Sequence, residues 1–394
     1  MGVVQRRLLL GCGDVTRFCR TRTTSQHSRN LFQERSLQCC NLHNRRLLNE
    51  MNYKNYFQLM KNMHARILKP DLNVILRKRW QHGGSSSEHT MNVFDRKTKQ
   101  MQRDRAAMAD NVDVYDYLKD EVAYRLVDRL RDVTRKFDVA LDLSCGRGHL
   151  AKYLNEELVS TLYQCEFSEK MLNQSHTCED VETIKVQADE EFIPFQENSL
   201  DLVLSSLSLH WINDLPGTLH QIHNCLKNDG AFIGVMFGGD TLFELRCSLQ
   251  LAELEREGGF APHVSPFTDI RDLGSLLNRA GFTLLTVDVD EIKVNYPSMF
   301  EVMSDLKGMA ESNASWSRKL ILHRDTLAAA SAIYKEMYGN DDGTVPATFE
   351  LYFMIGWKPD QSQAKPASRG SAKMSLKDIG NLQSKKGKQD KTAE

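Results

Sequence analysis

Short apolar runs punctuate the middle of the chain. Residues 139–143, 162–166, 184–189 and 200–204 have the length and the Val, Leu and Ile content of buried parallel strands. Ahead of the first, residues 107–135 carry Val114, Leu118, Val122, Leu126 and Leu130 at near-regular helical spacing, which predicts one helix with a single buried stripe. After the fourth come a helix over 216–226, a turn at Asn228-Asp229-Gly230 and a strand over 231–237. A helix over 241–257 and another from Asp269 to Gly281 follow. A strand over 282–294, helices over 298–310 and 325–337, and a strand over 349–357 complete the pattern. Strands and helices in succession predict an α/β fold.

The first run passes without a linker into Ser144-Cys145-Gly146-Arg147-Gly148 and then a helical pattern at Leu150, Ala151 and Leu154. A strand, a tight glycine turn and a helix let a bulky ligand approach the main chain and aim the first N–H groups of the helix at it. A purely structural turn has the same signature. The strand ends favour a ligand. Asp142 lies at the end of the first strand, Glu166 closes the second and Asp189 the third, so three carboxylates share one edge. Asp142 suits an amine or hydroxyls, and Glu166 a pair of ribose hydroxyls. This register resembles the class I S-adenosylmethionine-dependent methyltransferases. The resemblance implies a seven-stranded, mostly parallel, Rossmann-like sheet with helices on both faces. It also implies S-adenosylmethionine held by Asp142, Ser144, Gly146, Gly148, Glu166 and Asp189. Ser144 stands where that family has its first glycine, and a side chain there is expected to crowd the methionine end of the cofactor.

Beyond the fourth strand, residues 205–216 place His210, Trp211 and Asp214 at the same edge, where open α/β sheets bind ligands. The alternative is that His210 and Trp211 only pack the lip of the sheet. Residues 263–268 read as a loop over the site. Together with residues 188–195, 237–249 and 256–267, these motifs resemble a family of mitochondrial, methyltransferase-like arginine hydroxylases that serve complex I assembly. The resemblance covers roughly residues 90–370. It implies an enzyme of the matrix, peripheral to the inner membrane, that hydroxylates an arginine of an iron–sulfur subunit of complex I beside other assembly factors. The guanidinium is then expected to meet an acid and an aromatic among Glu190, His210, Trp211 and Asp214. Charge points the same way: Glu190, Glu191, Asp214, Asp240 and Glu244 stand near this edge against Arg147 and Arg246.

Although the net charge is −1, residues 1–49 hold nine arginines against Asp14 and Glu34. Such a start predicts a mitochondrial transit peptide, with a basic arm for nucleic acid or lipid as the alternative. Residues 50–91 read as a basic segment and a Gly/Ser linker, 92–358 as the methyltransferase-like domain, and 359–394 as a disordered Lys-, Ser- and Gln-rich tail. No uncharged apolar run reaches the ~20 residues that a membrane span requires. No nucleic-acid partner is expected. The nine cysteines include no Cys-x-x-Cys pair, which argues against a zinc site and a disulfide framework. No metal is expected either: His323-Arg324-Asp325 has the local form of a non-haem iron motif, but no later histidine completes it, and it reads as a helix start. Two other readings stay open: an S-adenosylmethionine-dependent methyltransferase of a small acid or a protein, and a non-catalytic assembly chaperone.

Overall fold

The computed structural model of the chain describes residues 92–363, 365 and 367–371. The expected transit peptide, the basic segment up to residue 91 and most of the tail lie outside the described residues. Strands β1 (Phe137–Leu143), β2 (Val159–Glu166), β3 (Glu182–Gln187), β4 (Leu200–Ser206), β5 (Leu226–Phe237), β6 (Thr283–Tyr296) and β7 (Val345–Trp357) form one sheet in the order β3-β2-β1-β4-β5-β7-β6. The strands β1 to β5 run parallel, and β7 is inserted antiparallel between β5 and β6. Strand order reverses where β1 lies between β2 and β4, and ligand crevices open at the carboxyl ends of strands at such a switch point.

Helices α1 (Arg96–Ala107), α2 (Tyr117–Arg131), α3 (Glu169–Asn173), α4 (Leu215–Cys225), α5 (Phe243–Glu257), α6 (Ile270–Ala280), α7 (Met299–Gly308) and α8 (Arg324–Tyr338) accompany the sheet. One apolar core joins Leu118, Val122 and Leu126 of α2, Leu249 of α5 and Val302 of α7 to Phe137, Leu204 and Phe349. A second joins Leu219 of α4 and Leu273 and Leu277 of α6 to Leu141, Val203 and Phe232. Both faces of the sheet are thus covered, and each fully buried Leu, Val or Phe contributes about 1.5–3 kcal/mol. The strand β1 is almost wholly buried because its apolar run serves both cores, whereas β6, on the sheet edge, alternates between half-buried and exposed positions over most of its length.

Three expectations are corrected. The helix read over 107–135 is three elements: the end of α1, a single 3-10 turn at Val112–Tyr115, and α2. Val114 is exposed, outside the buried stripe of α2, because Asp116 starts a new helix: its carbonyl accepts from Asp120 N at 2.8 Å. The helix expected after the glycine turn is one 3-10 turn, Leu150–Lys152, closed where Asn155 draws in the N–H groups of Leu158 and Val159. There is therefore no long helix dipole at the turn. Finally, α1 was not expected as an element, since its only buried residues are Lys99, Arg103, Ala106 and Ala107 and it has no apolar stripe to read. His323 is the N-cap position of α8, as its sequence suggested.

Candidate active site

Asp142 lies at the end of β1 with 1% of its surface exposed, and neither carboxylate oxygen has a hydrogen-bond partner. Burial, with Glu166 beside it, pushes its pKa up to about 8. Next, Ser144 takes a left-handed backbone (φ 61°), a conformation that costs a side-chain-bearing residue about 1 kcal/mol, and its Oγ lies 3.5 Å from Glu166 Oε2. The two glycines of the turn are needed for different reasons. A Cβ on Gly146 would meet nothing nearer than the His149 ring at 3.8 Å, an ordinary contact, so it is the left-handed backbone (φ 58°) that calls for glycine there. A Cβ on Gly148 would fall 2.4 Å from the His176 carbonyl oxygen, so that glycine is required by the packing of the chain itself. Cys145 is buried, and burial pushes its thiol well up, away from reactivity.

Asp142, Ser144, Gly146 and Glu166 line one narrow cavity of about 30 Å³ together with Arg103, Lys119, Ser206, Ser208 and Glu311. It has room for about one water molecule. Gly148 and Asp189 do not line it. Glu166 is engaged from several sides: it accepts from Gly146 N at 3.0 Å, from Ser168 N at 2.9 Å and from Arg103 Nη1 at 3.0 Å. The unpartnered Asp142 carboxylate fits the ammonium of a methionine-type cofactor, and a cavity of this size admits the rest of such a molecule only if its lining moves apart. The β2 acid that would take its ribose holds an arginine of α1.

That arginine belongs to a row of cations that changes the charge of the edge. Arg96, Lys99 and Arg103, at helical spacing on α1, point into the site. Arg96 lies 2.8 Å from Asp189, 3.0 Å from Glu190 and 3.7 Å from Glu191, and Arg103 lies 3.1 Å from Glu190. Burial raises the Glu190 pKa, but Arg103 and Arg96 outweigh it and hold the carboxyl down to about 2. Of the acidic edge read from sequence, Glu190 and Glu191 are thus met by the chain's own arginines. Of the other acids counted there, Glu244 accepts from Thr348, and Asp214 accepts from Gly217 N at 2.9 Å as the N-cap of α4. The cations counted there are also occupied: Arg147 pairs with Asp113 and Asp116, and Arg246 donates to main-chain carbonyls.

His210 and Trp211 are both buried. The His210 ring packs against Phe237 and against Phe267 of the 263–268 loop, and its Nε2 lies 3.4 Å from Glu311 Oε2. Burial lowers its pKa, against the pull of Glu311, which favours the neutral ring. The indole Nε1 of Trp211 donates to the same Glu311 oxygen at 2.8 Å, and Lys99 Nζ sits 3.2 Å from the ring centroid. The structure thus brings Asp142, Ser144, Gly146 and Glu166 together at one cavity and His210 and Trp211 together around Glu311, with Glu190 held behind them by α1. The residues that the sequence reading missed are Arg96, Lys99, Arg103, Lys119 and Glu311. A row of basic residues at helical spacing ahead of an acid-ended sheet was the signal for the first three; Glu311, in a loop after α7, had none. Among the described residues no group of three or more His, Cys, Asp or Glu side chains is arranged to hold a metal ion.

Comparison with known proteins agrees with this architecture. A family model described as a methyltransferase domain matches residues 141–234, from β1 into β5. The chain is 59% identical to a human protein named arginine-hydroxylase NDUFAF5, mitochondrial, over 76% of this chain and 86% of that one. A Danio rerio protein of the same name is 61% identical over 76% of this chain and 94% of that one. A malonyl-[acyl-carrier protein] O-methyltransferase of Methylovorus sp. is 32% identical over 67% of this chain and 89% of that one. The fold is that of the class I methyltransferases, and with such identity across most of both chains this protein belongs to the family of the NDUFAF5 arginine hydroxylases.

Proposed function

We propose that the protein is a mitochondrial arginine hydroxylase that binds S-adenosylmethionine on its methyltransferase fold and acts on an arginine of an iron–sulfur subunit during complex I assembly. The observation that carries this reading is identity of about 60% to relatives with that activity in their name, over nearly their whole length. The protein works at the matrix face of the inner membrane as a peripheral protein, in company with other assembly factors. None of the described helices is long and apolar enough to cross a membrane.

In this reading Asp142 takes the ammonium of the cofactor, Gly146 leaves room for its chain, and Ser144 borders its methionine end. Glu166 and Asp189 face its nucleoside once Arg103 and Arg96 have let them go. When bound, S-adenosylmethionine carries a transferable methyl group and a positive sulfonium. The protein's own part is to orient it, to keep water out through the 263–268 loop, and to receive the acceptor arginine near Glu190, His210, Trp211 and Asp214. The experiment is intact and peptide mass of the candidate subunit after incubation with the full-length protein. A gain of one oxygen on an arginine supports the hydroxylase. A gain of one methyl supports the methyltransferase reading, which the O-methyltransferase relative favours. An unchanged mass with a stable complex supports a chaperone.

A further inference from the structure

The proposed arginine acceptor needs a seat, and one buried arrangement has the chemistry of one. Lys99 runs inward from α1 with 1% of its surface exposed, and its ammonium lies over the face of the Trp211 indole. It donates to the carbonyl oxygens of Ala310 at 2.7 Å and Ser312 at 3.5 Å. On the rim of the same ring, Glu311 accepts from Trp211 Nε1 and pairs with Lys119 at 3.6 Å. An aromatic face and two carbonyl oxygens thus surround the Lys99 ammonium, and the Glu311 carboxylate on the rim is engaged by Trp211, His210 and Lys119. Glu311 and Ala310 also line the cavity that holds Asp142 and Gly146, whereas Trp211 and Lys99 do not, so Glu311 is where this place and the glycine turn meet.

We propose that Trp211 and Glu311 form the seat of the acceptor arginine, and that Lys99 fills it when no acceptor is present, so that α1 is a strap which the substrate guanidinium displaces. The inference rests on the reading that the acceptor is an arginine. A guanidinium suits the seat better than the lysine does. It is planar, carries five donors for the carboxylate and carbonyls, stacks on an indole, and is more weakly hydrated than an ammonium. Burial pulls the Lys99 pKa well down, and Arg103, Lys119 and Arg96 nearby add to this against Glu311, so its charge is held there at a cost. The strap is held by polar partners that a substrate cation can compete for. The ion pairs of Arg96 and Arg103, hydrogen bonds of Lys99, Gln102 and Asp104, and two buried alanines fix α1 to the body of the protein, with no long apolar side chain of the helix buried.

The test uses the full-length protein and ethylguanidinium as the probe, with butylammonium as its control. The Trp211 indole N–H signal, labelled with nitrogen-15 and assigned by Trp211→Phe, is the readout. In Lys99→Ala, ethylguanidinium should shift that signal at about tenfold lower concentration than in the wild type. Butylammonium should act more weakly, and Glu311→Gln added to Lys99→Ala should abolish the effect. With the subunit as substrate, Lys99→Ala should lower KM several-fold with kcat little changed, and Glu311→Gln should raise KM. Should Lys99→Ala fail to fold, Lys99→Met keeps the stem and removes the charge, and the same fall in KM is expected. An indole signal in Lys99→Ala that ethylguanidinium leaves unmoved overturns the seat, as does a KM that rises in both Lys99 variants. Probe binding needs no substrate protein, so a variant that binds ethylguanidinium at Trp211 while no arginine of the subunit gains oxygen overturns the hydroxylase reading and leaves the seat standing.

Discussion

Asp142 and Glu190 are two carboxylates at the same edge of one sheet, and each has 1% of its surface exposed. They behave in opposite ways. Asp142 has no counter-ion, and its pKa climbs to about 8; Glu190 has Arg96 and Arg103, and its pKa falls to about 2. Burial acts on both in the same direction, so the difference comes from the partners alone. A buried acid whose cation is supplied by its own chain contributes to the fold. One left without a cation costs the fold free energy, which is what makes Asp142 the candidate for a ligand's cation.

The contrast is broken most strongly at Asp142. A carboxyl with a raised pKa keeps its proton in the folded state above the ordinary 3.8, so stability declines as pH rises from there to about 8 and stays low beyond. Asp142→Asn removes that decline. In urea melts at pH 8.5 the variant should be more stable than the wild type by up to about 6 kcal/mol, with little difference near pH 4. It should also lose affinity for S-adenosylmethionine in calorimetry. Equal stability across that range would show that Asp142 finds a counter-ion in solution.

The Glu190 side yields to Arg103→Ala, which leaves Glu166 and Glu190 short of a buried cation. A loss of about 3–5 kcal/mol is expected in the same melts at pH 7. The acid limb sharpens the comparison. Because the pKa of Glu190 is depressed, its stabilisation is full above its ordinary 4.5 and is lost as pH falls toward about 2, and Glu190→Gln should flatten that limb. A limb of unchanged steepness in Glu190→Gln would place the acid-labile pair elsewhere.

The smallest effect is expected at Ser144, which lines the cavity with Asp142 and lies 3.5 Å from Glu166. Ser144→Gly relieves a left-handed backbone and should stabilise the protein by about 1 kcal/mol. If the side chain crowds the cofactor, the same change tightens S-adenosylmethionine binding by roughly tenfold. Weaker binding in this variant would show that the hydroxyl donates to the ligand.

The sheet was legible because apolar runs report their own burial. Residues 139–143, 162–166 and 200–204 had to be strands wherever they packed, and Asp142 and Glu166, at the ends of the first two, had to share an edge once those strands ran parallel. The family, too, was legible, from local motifs at 205–216 and 256–267. What lay beyond reach was pairing. A carboxylate reads the same in sequence whether an arginine waits 3.0 Å away or nothing does, and Arg103 is 63 residues from Glu166 along the chain. The helix α1 had no hydrophobic period because it is seated by charge: its basic residues stand at helical spacing, but nothing local tells which acids they meet. Glu311 met Trp211 only through the packing of α7 and its following loop, 100 residues away. Sequence by itself determined the strands, the glycine turn and the family, since each depends on local burial or local motif. Tertiary structure alone decided which acids meet a cation of their own chain and which stand unpartnered, since that depends on distances between segments that no local pattern encodes.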